Sequence, residues 1–167
     1  DKDKSPPAET LVSAARKKRF IVAGHDLKFF KGLQKQLEAT GQFEFQVDKW
    51  SNHSDSRGQS RRKKMLEQAD GVICEWALGN LEWYSHHILP HQKLVSRFHL
   101  QEQNLPYLWR SDWGKISRVV FVSETLRQQT LETLGFPDDK TRVISNYLIE
   151  ENFKKKKKMG MPNFVWA

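Results

Sequence analysis

Polar residues able to move a proton or grip an anion follow several of the apolar runs of this chain at once. Gly24-His25-Asp26 closes the run Phe20-Ile21-Val22-Ala23, and Glu75-Trp76 closes Gly71-Val72-Ile73-Cys74. His99-Leu100-Gln101-Glu102 follows Lys93 to Phe98, Ser123-Glu124 follows Arg118 to Val122, and Asn146-Tyr147 follows Thr141 to Ile144. His99 is the candidate catalytic group, because an imidazole titrating near neutrality suits proton transfer or a hydrogen bond to phosphate. Its bland alternative is an imidazole that satisfies a backbone carbonyl. Gly24 permits a tight turn with close backbone approach, and His25 and Asp26 precede a helix whose amino end attracts anions. Trp76 offers an indole face to a sugar ring. Together with these, Glu75, Gln101, Glu102, Ser123 and Asn146 make up the candidate substrate contacts.

Several chemistries lack their key part. There is no GxGxxG, GxSxG or GxxxxGK[ST] pattern, so dinucleotide binding, serine hydrolysis and a P-loop have no support. His86, His87 and His91 resemble metal ligands, but Pro90 breaks the helix that would align His87 with His91, and no Cys or acidic partner stands at suitable spacing. No metal or cofactor is expected. The single cysteine, Cys74, lies inside an apolar run and reads as a small buried hydrophobe.

These residues need elements to hold them. Arg19 to Ala23 reads as a strand buried on both faces, and Phe29, Phe30, Leu33 and Leu37 recur at helical spacing up to the terminator Gly41. Phe43 to Val47 reads as a second strand, Ser51 to Ser60 as a loop long enough to be mobile, and Arg61 to Ala69 as a helix packing Met65, Leu66 and Ala69. Gly71 to Cys74 is a third strand. Asn80 then caps a helix that carries Leu81, Tyr84 and Ile88 and stops at Pro90. Lys93 to Phe98, Arg118 to Val122 and Thr141 to Ile144 complete six strands, with a helix between the last two capped by Ser123 and ended by Gly135 and Pro137. Buried strands alternating with amphipathic helices predict an α/β fold: a Rossmann-like, doubly wound, mostly parallel sheet with helices on both faces. In such a sheet the ligand crevice lies beyond the carboxyl ends of the strands, where strand order reverses.

The chain has 167 residues and a formal net charge of +8. Residues 1–18 carry five basic and three acidic side chains, residues 19–150 eighteen and sixteen, and residues 151–167 five and one. Half of the excess lies in residues 151–167, with the run Lys154 to Lys158, so the central region is nearly balanced and nucleic acid is not an expected partner. A lysine run of this kind suits anionic lipid, which makes peripheral contact with a membrane an expectation. No apolar run approaches the roughly 20 residues that span a bilayer. The expected organisation is a linker over 1–18, one domain over 19–150, and a basic linker over 151–167. Phe164-Val165-Trp166 is a candidate first strand of a further domain.

Phe121-Val122-Ser123-Glu124, Arg127, Leu131, Gly135-Phe136-Pro137 and Arg142-Val143-Ile144-Ser145-Asn146-Tyr147 resemble, as a set, the end of the amino-terminal domain of retaining GT-B-fold glycosyltransferases (family 4-like, group 1). Cys74 to Asn80 and Arg97 to Glu102 are similar to segments of a subgroup of these enzymes. Ser145 stands where the family pattern has proline. The resemblance spans about residues 19 to 150. It implies half of a two-domain, cytoplasmic transferase of hexosyl type, which passes a sugar from a nucleotide-sugar to a glycan, lipid or other acceptor without a bound metal. In that picture the Gly24 turn lines the cleft floor, His99 approaches the donor sugar or its diphosphate, and Glu102 lies on the acceptor side. The donor-holding carboxy-terminal domain would be missing here, so this chain alone is expected to be inactive. Two other readings are a Rossmann-like binding or regulatory module without catalysis, and a sugar-nucleotide epimerase of the same architecture.

Overall fold

The computed structural model describes residues 16–55 and 57–146, and in it the six apolar runs are six parallel strands. They are β1 (Lys18–Gly24), β2 (Phe43–Lys49), β3 (Gly71–Glu75), β4 (Lys93–Phe98), β5 (Arg118–Phe121) and β6 (Thr141–Val143). Between them lie α1 (Lys31–Ala39), α2 (Gln59–Glu67), α3 (Gly79–His87), a short α4 (Tyr107–Arg110) and α5 (Glu124–Leu134). Single 3₁₀ turns follow β4 at Leu100–Glu102 and precede β6 at Asp138–Lys140.

The sheet runs β2-β1-β3-β4-β5-β6. The chain steps outward from β1 to β2, crosses back over β1 to lay down β3, and then continues in one direction. Strand order therefore reverses between β1 and β3, and that edge is the switch point of the sheet. Right-handed crossovers require the first connection to cover one face and the later ones the other. Packing agrees. Phe30, at the start of α1, meets Phe45 of β2 edge-on at 5.4 Å on the first face. On the second face, Ile21, Ala23, Val72, Cys74, Leu94, Val119 and Phe121 form one core with Met65 and Leu66 of α2, Leu81 and Tyr84 of α3, and Leu126 of α5. Each Val, Leu, Ile, Phe or Met side chain of this core taken fully out of water contributes roughly 1.5–3 kcal/mol, which is why helices of nine to eleven residues, too short to persist alone, stay in place.

Two expectations change here. Asn80 was expected to cap its helix from outside, but α3 begins at Gly79 and Asn80 sits within its first turn. Its Oδ1 accepts from Leu78 N at 3.1 Å, while Nδ2 donates to Ala23 O at 2.8 Å and Glu75 O at 3.3 Å. The amide stitches the end of β1 to the end of β3 instead. The segment after β2 was expected to be mobile on length alone, yet it is tied at both ends. Arg62, 1% exposed, stacks over Trp50 at 3.9 Å and donates to Asp48 at 2.8 Å and to the carbonyls of Asp55 and Arg57. Gly79 N also donates to His53 O at 2.8 Å. Among the described residues no helix is long and apolar enough to cross a membrane. Residues 1–15 and 147–167, including Lys154 to Lys158 and Phe164 to Trp166, lie outside the described residues.

Candidate functional site at the carboxyl edge of β1, β3 and β4

At the switch point β1 and β3 approach closely. A Cβ on Gly24 would stand 2.6 Å from the Glu75 carbonyl oxygen, so only glycine fits there without a backbone shift. β3 then ends at Trp76 in a left-handed conformation, φ +74°, which costs a residue other than glycine about 1–3 kcal/mol. The indole offsets that cost. Its Nε1 donates to Asp26 O at 2.8 Å, and its ring stacks on His99 at 4.1 Å with an interplanar angle of 28°. Phe29 stacks on His99 as well, at 5.5 Å, and the His25 ring lies 5.7 Å from Trp76 and 4.8 Å from His53.

Glu75 and Arg97 are register partners on adjacent strands and share one face of the sheet. Arg97 Nη1 lies 3.1 Å from Glu75 Oε1 and 3.2 Å from Oε2. The same guanidinium donates to Asn146 Oδ1 at 2.6 Å, which brings the end of β6 into the group, and to Phe29 O at 3.4 Å. His99 Nε2 approaches Glu75 Oε1 at 3.4 Å. Arg97, Glu75 and His99 thus form a row across the carboxyl edge, with a fully buried carboxylate between a guanidinium and an imidazole. The carboxylate neutralises one neighbour and orients the other. Desolvating such a pair is expensive, so excellent geometry is needed to hold it.

Glu102 braces the row from below. It is 2% exposed, and its two oxygens accept from Ala77 N at 2.7 Å and His99 N at 2.8 Å. The carboxyl therefore fixes both the turn after Trp76 and the backbone of His99. Burial pushes it up to about 8; the amides of Ala77 and His99 pull it down by less, and the charge of Glu75 adds to the rise. His25 is held below its ordinary value, mainly by burial and then by repulsion from His53. Asp26 is lowered by its bond to Lys28 and is half-buried beside the crevice.

Of the candidate residues, Gly24, His25, Asp26, Glu75, Trp76, His99 and Glu102 converge on this edge, and Asn146 joins through Arg97. Glu102, 2% exposed and with both oxygens engaged, presents almost no surface to an acceptor and acts as a brace. Gln101 is exposed in the 3₁₀ turn, and the Ser123 hydroxyl accepts from Leu126 N at 3.3 Å as the cap of α5. Sequence reasoning missed Arg97, Phe29 and His53. The one signal for Arg97 was a charge set inside a run otherwise read as a buried strand. His86 and His87 bond to the carbonyls of Arg110 and Trp83, and among the described residues no group of three or more His, Cys, Asp or Glu could hold a metal. Comparison with family models, with curated proteins and with solved structures finds no match for this chain.

Proposed function

We propose that the chain is the acceptor-side domain of a glycosyltransferase of the retaining GT-B type, acting on a nucleotide-sugar donor and a glycan, lipid or other hydroxyl-bearing acceptor. The observation that carries this reading is the place of His99 at the end of β4, beside the switch point, its ring clamped between Trp76 and Phe29 and its Nε2 set against Glu75. In the reaction proposed, the bond between the anomeric carbon and the nucleoside diphosphate breaks and a bond to an acceptor oxygen forms. The diphosphate leaves with the electron pair, and the proton lost by the acceptor oxygen passes to the departing diphosphate. Positive charge develops at the anomeric carbon in between, so positioning and charge stabilisation supply most of the rate.

On this reading the imidazole of His99, 4% exposed beneath Trp76 and Phe29, shapes the crevice floor under the donor sugar or its diphosphate, and Glu75 fixes the ring in that orientation. Arg97 cancels the charge of Glu75. Trp76, 8% exposed and packed on His99, lines the crevice beside it, and Glu102 is a positioning residue acting through Ala77 and His99. The donor would be held by a second domain, and a cytoplasmic location with peripheral membrane contact through Lys154 to Lys158 belongs to the same reading. His99→Ala in the full-length polypeptide is expected to lower turnover at least about tenfold, equivalent to about 1.4 kcal/mol of transition-state stabilisation. Turnover unchanged in a variant that melts like the parent would remove His99 from the mechanism.

A further inference from the structure

Beside the His99 row, and sharing His25 with it, the carboxyl ends of β1 and β2 and the amino end of α2 enclose a concavity of about 520 Å³. Lys49, Arg57, Arg61 and Arg62 contribute four cations to its wall, and Asp55 one carboxylate. Asp48 stands behind it, fully buried and bonded to Arg61 and Arg62. Four positive charges against two negative leave two uncompensated. Asp55 does not loosen this balance, because the Arg57 amide and then the Ser51 hydroxyl and amide hold its carboxyl well below the usual range.

The cations of the wall fall into two kinds. Arg62 is structural, since its donors go to Asp48 and to the Asp55 and Arg57 carbonyls. Lys49, Arg57 and Arg61 are exposed, and each keeps donors in reserve among the described residues. Lys49 Nζ bonds only the His25 carbonyl, Arg57 uses Nε and Nη2 on Asp55 and Ser51, and Arg61 uses Nη2 on Asp48. Three partly engaged cations line one concave space. The first turn of α2 adds to the same field: it starts at Gly58 with no side-chain cap and no acidic residue.

We propose that this pocket binds a phosphate-class dianion, as a phosphomonoester or diphosphate whose remaining part reaches the crevice at His25. Guanidinium forks match the oxygens of tetrahedral anions and a lysine adds a point charge, while the near balance of charge over residues 19–150 argues against an extended nucleic-acid track. The inference rests on the charge and shape of this pocket and does not require the transferase reading. The test is an amide NMR titration of the 167-residue chain at low ionic strength with inorganic phosphate, pyrophosphate and glycerol phosphate. Saturable shifts within residues 49–62 are expected for at least one of the three, and which of them binds most tightly distinguishes a free anion from an esterified one. Lys49→Gln combined with Arg57→Gln should weaken that binding at least about tenfold. Lys93→Gln combined with Arg118→Gln, at the opposite edge of the sheet, should leave it unchanged. Lys49→Gln alone guards against misfolding, since its Nζ bonds a single carbonyl, and it should weaken binding by itself. Linear, unsaturable shifts, or equal losses in the two double variants, would overturn the proposal.

Discussion

An Arg97→Met variant is expected to lose about 3–5 kcal/mol of unfolding free energy, the usual consequence of stripping one partner from a buried ion pair. Glu75 has no exposed surface, and without Arg97 its remaining side-chain neighbour is His99 at 3.4 Å. The variant also frees Asn146 from its 2.6 Å bond and loosens the end of β6. Methionine keeps much of the stem's bulk, so the loss measures charge more than volume. Adding Glu75→Gln should recover part of it, because the double variant buries no lone charge. Denaturant unfolding of the two single variants and the double one gives the coupling between the sites directly. A loss below about 1 kcal/mol for Arg97→Met would place the pair among weak, solvent-screened contacts instead.

The share of stability that Glu102 supplies should fall as pH rises from about 4.5, the ordinary value for the group, to about 8, where it titrates in the fold. The sign follows from linkage. With the folded carboxyl raised, the folded protein retains a proton that the unfolded chain has already released, so this contribution is complete below about 4.5 and is lost on the way to 8. The slope from one such group reaches about 1.4 kcal/mol per pH unit at most. Glu102→Gln cannot titrate, and its side-chain N–H₂ meets one of the two amide donors that the carboxyl oxygens accept. The variant is therefore less stable at acid pH, and the gap to the parent narrows as pH rises. Urea unfolding of both proteins across pH 5 to 8 measures that gap. A gap independent of pH would mean that Ala77 and His99 keep the carboxylate ionised despite its burial.

Much of this fold is written in local apolar patterning. β4 runs from Lys93 to Phe98 with the bounds expected of it, and Ser123 and Gly135 bound α5 as cap and terminator. Where the elements depart from expectation, the cause is a distant partner. β2 continues through Asp48 and Lys49 because Asp48 is met by Arg62 of α2 and Tyr84 of α3 as well as by Trp50 just past the strand, a rescue the run itself shows only in part. Arg97 reads as an oddity in a buried strand until β3 lies beside β4 and supplies Glu75 at the matching register position. Trp76 is similar: nothing in its type announces a left-handed backbone, since the tight turn depends on Asp26 and His99 arriving from β1 and β4. The candidate site was legible as a set of strand ends. The roles within it were not, because burial separates Glu102, wholly enclosed, from Gln101, its exposed neighbour.

The proposed transferase would use the His99 edge as half of a cleft in which a sugar leaves a nucleoside diphosphate for an acceptor. It is tested most directly by following nucleoside diphosphate released from a panel of nucleotide-sugars by the full-length polypeptide, with and without candidate glycan and lipid acceptors. Release that depends on acceptor, with the sugar recovered on it, is the result predicted. Epimerised nucleotide-sugar formed without any acceptor, or no nucleotide-sugar turned over by a folded full-length protein, would contradict it.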